Sequence, residues 1–189
     1  SLRLGEVLDA PVILSNFSRL VVDPNRGEND PTLIMKLYDG TIIPANRHIS
    51  PAETEERLNR LYRPYHNALA ELAGRKDDTL IIAMHSFSPK LNGRAPRPWE
   101  IGVLHADNNP LPLALINCLQ AQDDLTVGDN EPYAGHLPGD SVDRHALAHD
   151  RPNVLIELRH DEIDDAKKQV HWAERLAPIL QEALVLSGV

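Results

Sequence analysis

The stretch that most constrains this chain is Asn153–Asp161, NVLIELRHD. Val154, Leu155, Ile156 and Leu158 make a short apolar run with β-branched members, the composition that fills a strand buried on both faces. Into that run are set Glu157 and Arg159. Side chains alternate along a strand, so these two share one face, roughly 7 Å apart. A carboxylate in a buried strand is costly unless something pairs with it or uses it. Two readings follow. One is an internal Glu–Arg ion pair that fixes register. The other is a catalytic carboxylate near the carboxyl end of a strand, where open α/β sheets place their sites.

Thr79–His85, TLIIAMH, is a second strong strand candidate, with His85 and Ser86 at its carboxyl end. Val12–Leu14 and Phe17–Asp23 read as shorter strands. The second runs into the turn Asp23-Pro24-Asn25-Arg26-Gly27, which leaves Asn25 and Arg26 just past a strand end. An arginine there offers a planar fork suited to a carboxylate. Asp39-Gly40-Thr41 is a turn signal. Ser50, Pro51 and Glu53 predict a helix start with a capping box. Leu58, Leu61, Tyr62, Tyr65, Leu69 and Leu72 then supply an apolar helical face, kinked or divided at Pro64 and ended at Gly74. His66 reads as a half-buried packing residue.

Trp99–His105 and Leu125–Gly128 are further strands, separated by a helix over Pro110–Gln120. The loop Asp129–Gly139, which carries Glu131 and Tyr133, has a length typical of functional loops. Ser141–His149 reads as a short helix with His145 and His149 one turn apart. That spacing can hold a metal or serve a solvated pair at a helix C-terminus. From about Ile163 the pattern is helical, interrupted at Pro178. Strands alternate with helices, which predicts an α/β class with a mostly parallel sheet. A serine nucleophile at Ser86 is disfavoured, because nothing around it resembles a nucleophile elbow.

The 189 residues suit one domain. The net charge of −9 argues against a partner that must be tracked along its phosphates, so no nucleic acid is expected. Cys118 is the only cysteine, which excludes an internal disulfide and a cysteine metal cluster. The 9 histidines are then the borderline-soft metal ligands at hand. The apolar stretch Leu111–Leu119 is too short to span a bilayer. No secretory leader is read before Ser1, so the expected setting is the cytoplasm without a membrane partner.

The polar groups at three strand ends, Asn25-Arg26, His85-Ser86 and Glu157, resemble the zinc carboxypeptidase superfamily. Within it the chain is most similar to the N-formylglutamate amidohydrolase family. The resemblance is carried, in order, by SRLVVDPNR (Ser18–Arg26), DGTIIPAN (Asp39–Asn46), RPYH (Arg63–His66), HSFSP (His85–Pro89), RPWEIGVL (Arg97–Leu104), DNEPYAG (Asp129–Gly135) and RPNVLIELRHDEI (Arg151–Ile163). It implies a three-layer αβα sandwich with a mostly parallel mixed sheet, as one amidohydrolase-like domain over residues 1–189. The family's N-terminal segment, which supplies further metal ligands, is not seen before the first matched stretch.

The implied activity is a metal-dependent hydrolase that cleaves N-formyl-L-glutamate to formate and L-glutamate, a step of histidine degradation. The resemblance implies zinc as cofactor, with His85 as a metal ligand and Glu157 as the catalytic general base. It implies that Asn25 and Arg26 hold a substrate carboxylate. Arg159 would bind a second carboxylate or hold Glu157, and Glu131 and Tyr133 would line the pocket. The expected partner is a small acidic substrate, with an oligomer left open. Two alternatives stand beside this one: an amidase for another N-acyl amino acid or a peptide, and a metal-less member that binds an acidic metabolite or partner without catalysis.

Overall fold

The computed structural model describes residues 1–106, 109–135 and 137–189. The loop expected over Asp129–Gly139 runs through His136, which lies outside the described residues, as do Asp107 and Asn108. In chain order the elements begin with α1 (Leu2–Leu8), the strands β1 (Leu37–Tyr38) and β2 (Thr41–Ile42), α2 (Pro44–Arg47) and α3 (Pro51–Arg57). A π-helical turn (Leu58–Tyr62) joins α3 to α4 (Arg63–Ala73). Then follow β3 (Ile81–Phe87), β4 (Ile101–Leu104), α5 (Pro110–Gln120), β5 (Val127–Asp129), α6 (Ser141–His145), β6 (Asn153–Arg159) and α7 (Ala166–Ser187).

These elements form two compact units. The first holds Ser1–Val12, Ile81–His136 and Pro152–Val189; the second holds Ile13–Leu80 and Leu137–Arg151.

In the first unit a four-stranded sheet has the order β3-β6-β4-β5. β3 runs parallel to β6, β4 antiparallel to β6, and β5 parallel to β4. The mostly parallel mixed sheet of an α/β protein is therefore present. Strand β6 is interior to the sheet, and Val154–Leu158 are all buried, as the apolar run predicts. Helix α7 packs along α5 and α1, and α5 also touches β4, β5 and β6. Leu115 and Leu119 of α5 and Leu176, Leu180 and Ala183 of α7 are buried at 0–1 % exposure, which makes this helix pair core. Pro178 does not interrupt α7. Both Pro178 and Glu174, whose carbonyl loses its helical donor there, are exposed, on the face of the helix where water can take the place of the missing donor. Among the described residues no helix is long and apolar enough to cross a membrane.

The second unit departs further from the sequence expectation. Neither Val12–Leu14 nor Phe17–Asp23 is a strand. Val22 instead packs into a cluster with Leu33, Ile34, Leu58 and Tyr62. The backbone of that stretch is satisfied piecemeal rather than by a ladder: the amides of Val21 and Asp23 donate to the carbonyls of Ser18 and Leu33, and side chains take up the carbonyls of Leu20 and Val21. Nδ2 of Asn46, at 1 % exposure, donates to the carbonyls of Leu20 and Met35 at 2.6 and 2.8 Å. Nη1 of Arg57 donates to the carbonyl of Val21 and to Oδ1 of Asn46, both at 2.7 Å. The Asp39-Gly40 turn does close a hairpin, with φ of 48° and 78° at its two central residues.

The capping box at Ser50 forms as expected, with Pro51 in the first turn. The helix is divided just before Pro64, by the π-turn between α3 and α4. The π-turn ends at Tyr62, and Pro64 falls in the first turn of α4, where its missing N–H is not needed.

Candidate active site

In the first unit the sheet register sets one row of residues side by side: His85 opposite Glu157, Glu157 opposite Gly102, and Gly102 opposite Gly128. Register partners on neighbouring strands are about 4.8 Å apart and present their side chains to the same face. His85 and Glu157 therefore project together, as a shared site requires. Glu157 is only 6 % exposed, and His85 is half-buried. Ser86 is opposite Leu158 and so points to the other face of the sheet, away from His85 and Glu157.

The two glycines of the row explain how the following loop reaches this face. A Cβ on Gly102 would be 2.1 Å from the carbonyl oxygen of Glu131, and one on Gly128 would be 2.8 Å from it. The Glu131 backbone thus lies directly over the sheet beside Glu157, where only glycine leaves room. The loop is pinned by Asn130, at φ 50°. Its N–H donates to the carbonyl of Val103, and its Oδ1 accepts from the amides of His105 and Gly135. Tyr133 is held against Arg97: Nη1 of Arg97 donates to the Tyr133 hydroxyl at 3.2 Å, and the guanidinium lies 5.0 Å from the ring centroid.

Gly102→Ala is expected to lower stability by about 2 kcal/mol, the usual range for forced overpacking, and to displace Glu131. The denaturant midpoint and turnover of the variant check this. An unchanged midpoint would show that the loop does not bear on the sheet.

Arg159 shares the face of Glu157 but is engaged elsewhere. Its Nε donates to Asp161 at 2.7 Å, Nη2 to Glu162 at 3.0 Å and Nη1 to Glu100 at 3.4 Å. Nη1 also donates to the carbonyls of Pro98 and Trp99. Three carboxylates raise its pKa above the ordinary arginine value, the hydrogen bond to Asp161 first among the causes. The internal ion pair with Glu157 is not what holds this arginine.

In the second unit Asn25 and Arg26 lie in a turn, not past a strand end. The Asn25 amide donates to Oδ1 of Asp23 at 2.9 Å, and Asn25 Oδ1 accepts from the Ser141 amide at 3.3 Å. Nε of Arg26 donates to the Thr32 hydroxyl at 3.1 Å and Nη1 to the Asn25 carbonyl at 2.7 Å. Nη2 has no partner among the described residues. The guanidinium is thus oriented while part of its fork stays available.

His66 and His145 also differ from expectation. His66 is 2 % exposed and His145 5 % exposed. His66 Nδ1 and His145 Nε2 are 2.8 Å apart. Burial, with the positive charge of Arg144 next, pushes His66 down to about 3 and His145 down to about 4. Helix α6 stops at His145, with the Ala146 amide still donating to the Val142 carbonyl. His149 falls in a separate 3₁₀ turn and is exposed, so the two do not form a pair on one helical face.

A profile of the N-formylglutamate amidohydrolase family matches residues 2–163. A crystal structure of a gene product from Agrobacterium tumefaciens is 33% identical, with a TM-score of 0.87 over 97% of this chain and 74% of that one. The crystal structure of N-formylglutamate amidohydrolase from Ralstonia eutropha is 23% identical, with a TM-score of 0.62 over 97% of this chain and 78% of that one, a likeness of fold. Among curated proteins no match was found.

Proposed function

The chain belongs to the N-formylglutamate amidohydrolase family, and on that premise we propose that it hydrolyses N-formyl-L-glutamate to formate and L-glutamate, or a related N-acyl amino acid to the corresponding carboxylate and the free amino acid. The observation that carries the reading is the adjacency of His85 and buried Glu157 on one face of the sheet. Glu157 is the general base. It takes a proton from the attacking water and returns it to the leaving nitrogen as the C–N bond breaks, an assistance of about 10²- to 10⁴-fold. Arg26, positioned by Asn25 and Thr32, holds a substrate carboxylate. Glu131 and Tyr133 line the face on which Glu157 works.

The proposal includes zinc, for which His85 offers an imidazole. A catalytic zinc takes three protein ligands and keeps one open position. Among the described residues no three His, Cys, Asp or Glu side chains gather to hold a metal. The chemistry assigned to the described residues is therefore that of Glu157 itself. The alternative reading is binding of an acidic metabolite without turnover.

Formate release from N-formyl-L-glutamate, followed with and without added zinc, separates the two. Turnover is expected. Tight binding without turnover at saturating zinc would favour the second reading. In an active preparation Arg26→Ala should raise KM by about 10-fold or more, the loss expected when a charged hydrogen bond is removed. Arg26→Lys should recover only part of it, because the fork is lost. Unchanged KM and kcat in Arg26→Ala would remove Arg26 from the site.

A further inference from the structure

The second unit holds an open groove of about 640 Å³, lined by Gly27, Glu28, Asn29 and Asp30 on one side and by Pro138, Gly139 and Arg144 on the other. That volume is in the range of small-ligand sites. The acidic groups of its lining are already matched. Glu28 is 3.0 Å from Nη2 of Arg63. Oδ1 of Asp30 accepts from the Thr32 amide and hydroxyl at 2.7 and 2.6 Å.

Arg144 is not matched in this way. Its Nη1 donates to the Tyr62 hydroxyl at 2.8 Å, and its guanidinium lies 5.6 Å from the Tyr62 ring centroid. Nε and Nη2 have no partner, and no carboxylate pairs with it, among the described residues. Tyr62, at 0 % exposure, donates the same hydroxyl to the carbonyl of Arg26 at 2.7 Å. One buried hydroxyl thus ties the backbone of Arg26, the residue assigned to a substrate carboxylate, to the side chain of a second arginine that lines the groove.

We propose that Arg144 is a specificity-determining residue, which reads the second carboxylate of a dicarboxylate substrate while Arg26 holds the first. This rests on the substrate reading given above and deepens it. Arg159, the arginine expected for the second carboxylate, is enclosed by Glu100, Asp161 and Glu162. A further carboxylate there would meet like charges. At Arg144 a carboxylate would meet an uncompensated guanidinium, held in place by stacking on Tyr62 and open on its other edge.

The test compares N-formyl-L-glutamate with N-formyl-L-glutamine, which has the same shape without the second charge. Arg144→Ala should lower kcat/KM for the glutamate compound by about 30-fold, within the range for a lost charged hydrogen bond. Its effect on the glutamine compound should stay within about 3-fold, because the amide makes no charged contact to lose. Arg144→Lys should restore part of the preference. Arg26→Ala should lower both substrates alike, since both keep the other carboxylate. Equal losses on both substrates in Arg144→Ala would overturn the proposal, because a structural role predicts that result.

If the wild-type chain hydrolyses neither compound, the reading of the reaction fails, and calorimetric titration with glutarate and butyrate still decides the site. Wild type should then bind glutarate about 10-fold more tightly than butyrate, and Arg144→Ala should abolish the difference. A glutarate affinity unchanged by Arg144→Ala would overturn the proposal.

Discussion

Glu157→Gln is expected to lower turnover by about 10²-fold or more while leaving the protein as stable as before. The amide keeps the shape of the side chain and removes its basicity, and loss of a general base is worth about 10²- to 10⁴-fold, or roughly 3–5 kcal/mol of barrier. The stability side follows from where the neighbouring charges are. If Glu157 were one half of an internal ion pair with Arg159, neutralising it would strand a buried arginine, at a loss of about 3 kcal/mol or more. Arg159 is instead held by Glu100, Asp161 and Glu162, none of which the substitution touches. Removing a charge from a strand that is buried at every position from Asn153 to Leu158 lightens the desolvation burden, so the denaturant midpoint should hold or rise. Turnover and midpoint measured on one preparation separate the two roles. Full activity with a clearly lowered midpoint would return Glu157 to a structural part.

The sheet was legible in the sequence where local chemistry alone decides. Asn153–Arg159 is a strand because its apolar run is short, β-branched and bounded by polar residues, which favours a buried strand over a helix, and its neighbour β3 follows the same logic. Helix α5 starts where Asn109 caps it, with its Oδ1 accepting from the Leu111 amide at 3.3 Å, and has its prolines in the first turn. Phe17–Asp23 was not legible, because what keeps it from being a strand is distant: Asn46 and Arg57 satisfy its carbonyls. No local pattern announces that.

The site divides in the same way. Glu157 and His85 stand out as polar residues in apolar runs. That they share a row with Gly102 and Gly128 depends on register, which one strand's sequence does not carry. For Arg159 a signal was present and outweighed. Two acids, Asp161 and Glu162, follow within three residues, and they take up its fork. Arg144 and the His66–His145 pair had weaker signals. RPYH and DRHALAH each hold a histidine at an apolar position, and only the tertiary fold brings His66 and His145 together.

That pair should make stability fall as pH drops from about 7 to 5, before most carboxylates titrate. His66 and His145 are buried, 2.8 Å apart and held down at about 3 and about 4, whereas an unfolded histidine titrates near 6.5. Between those values the unfolded chain takes up protons that the folded chain refuses. The stability is therefore fully present above about pH 6.5 and is lost progressively as pH falls toward 4. At 1.36 kcal/mol per unit of pKa difference, each ring gives up roughly 2 kcal/mol by pH 5. The pair gives up less than twice that, because a singly protonated pair can still keep one N–H···N bond. Protonating both rings leaves two donors facing each other, and the link is gone. Asp30, Glu53, Glu55, Asp124 and Asp161 also have lowered pKa values, but they start from about 4 in the unfolded chain, so their contribution is lost mainly below pH 5. Denaturant midpoints at pH 7.5, 6 and 5 test this. His145→Gln, which leaves one ring to titrate, should show about half the fall of the wild type. A midpoint that stays flat from pH 7.5 to 5 would mean that the two rings are not held neutral by the fold.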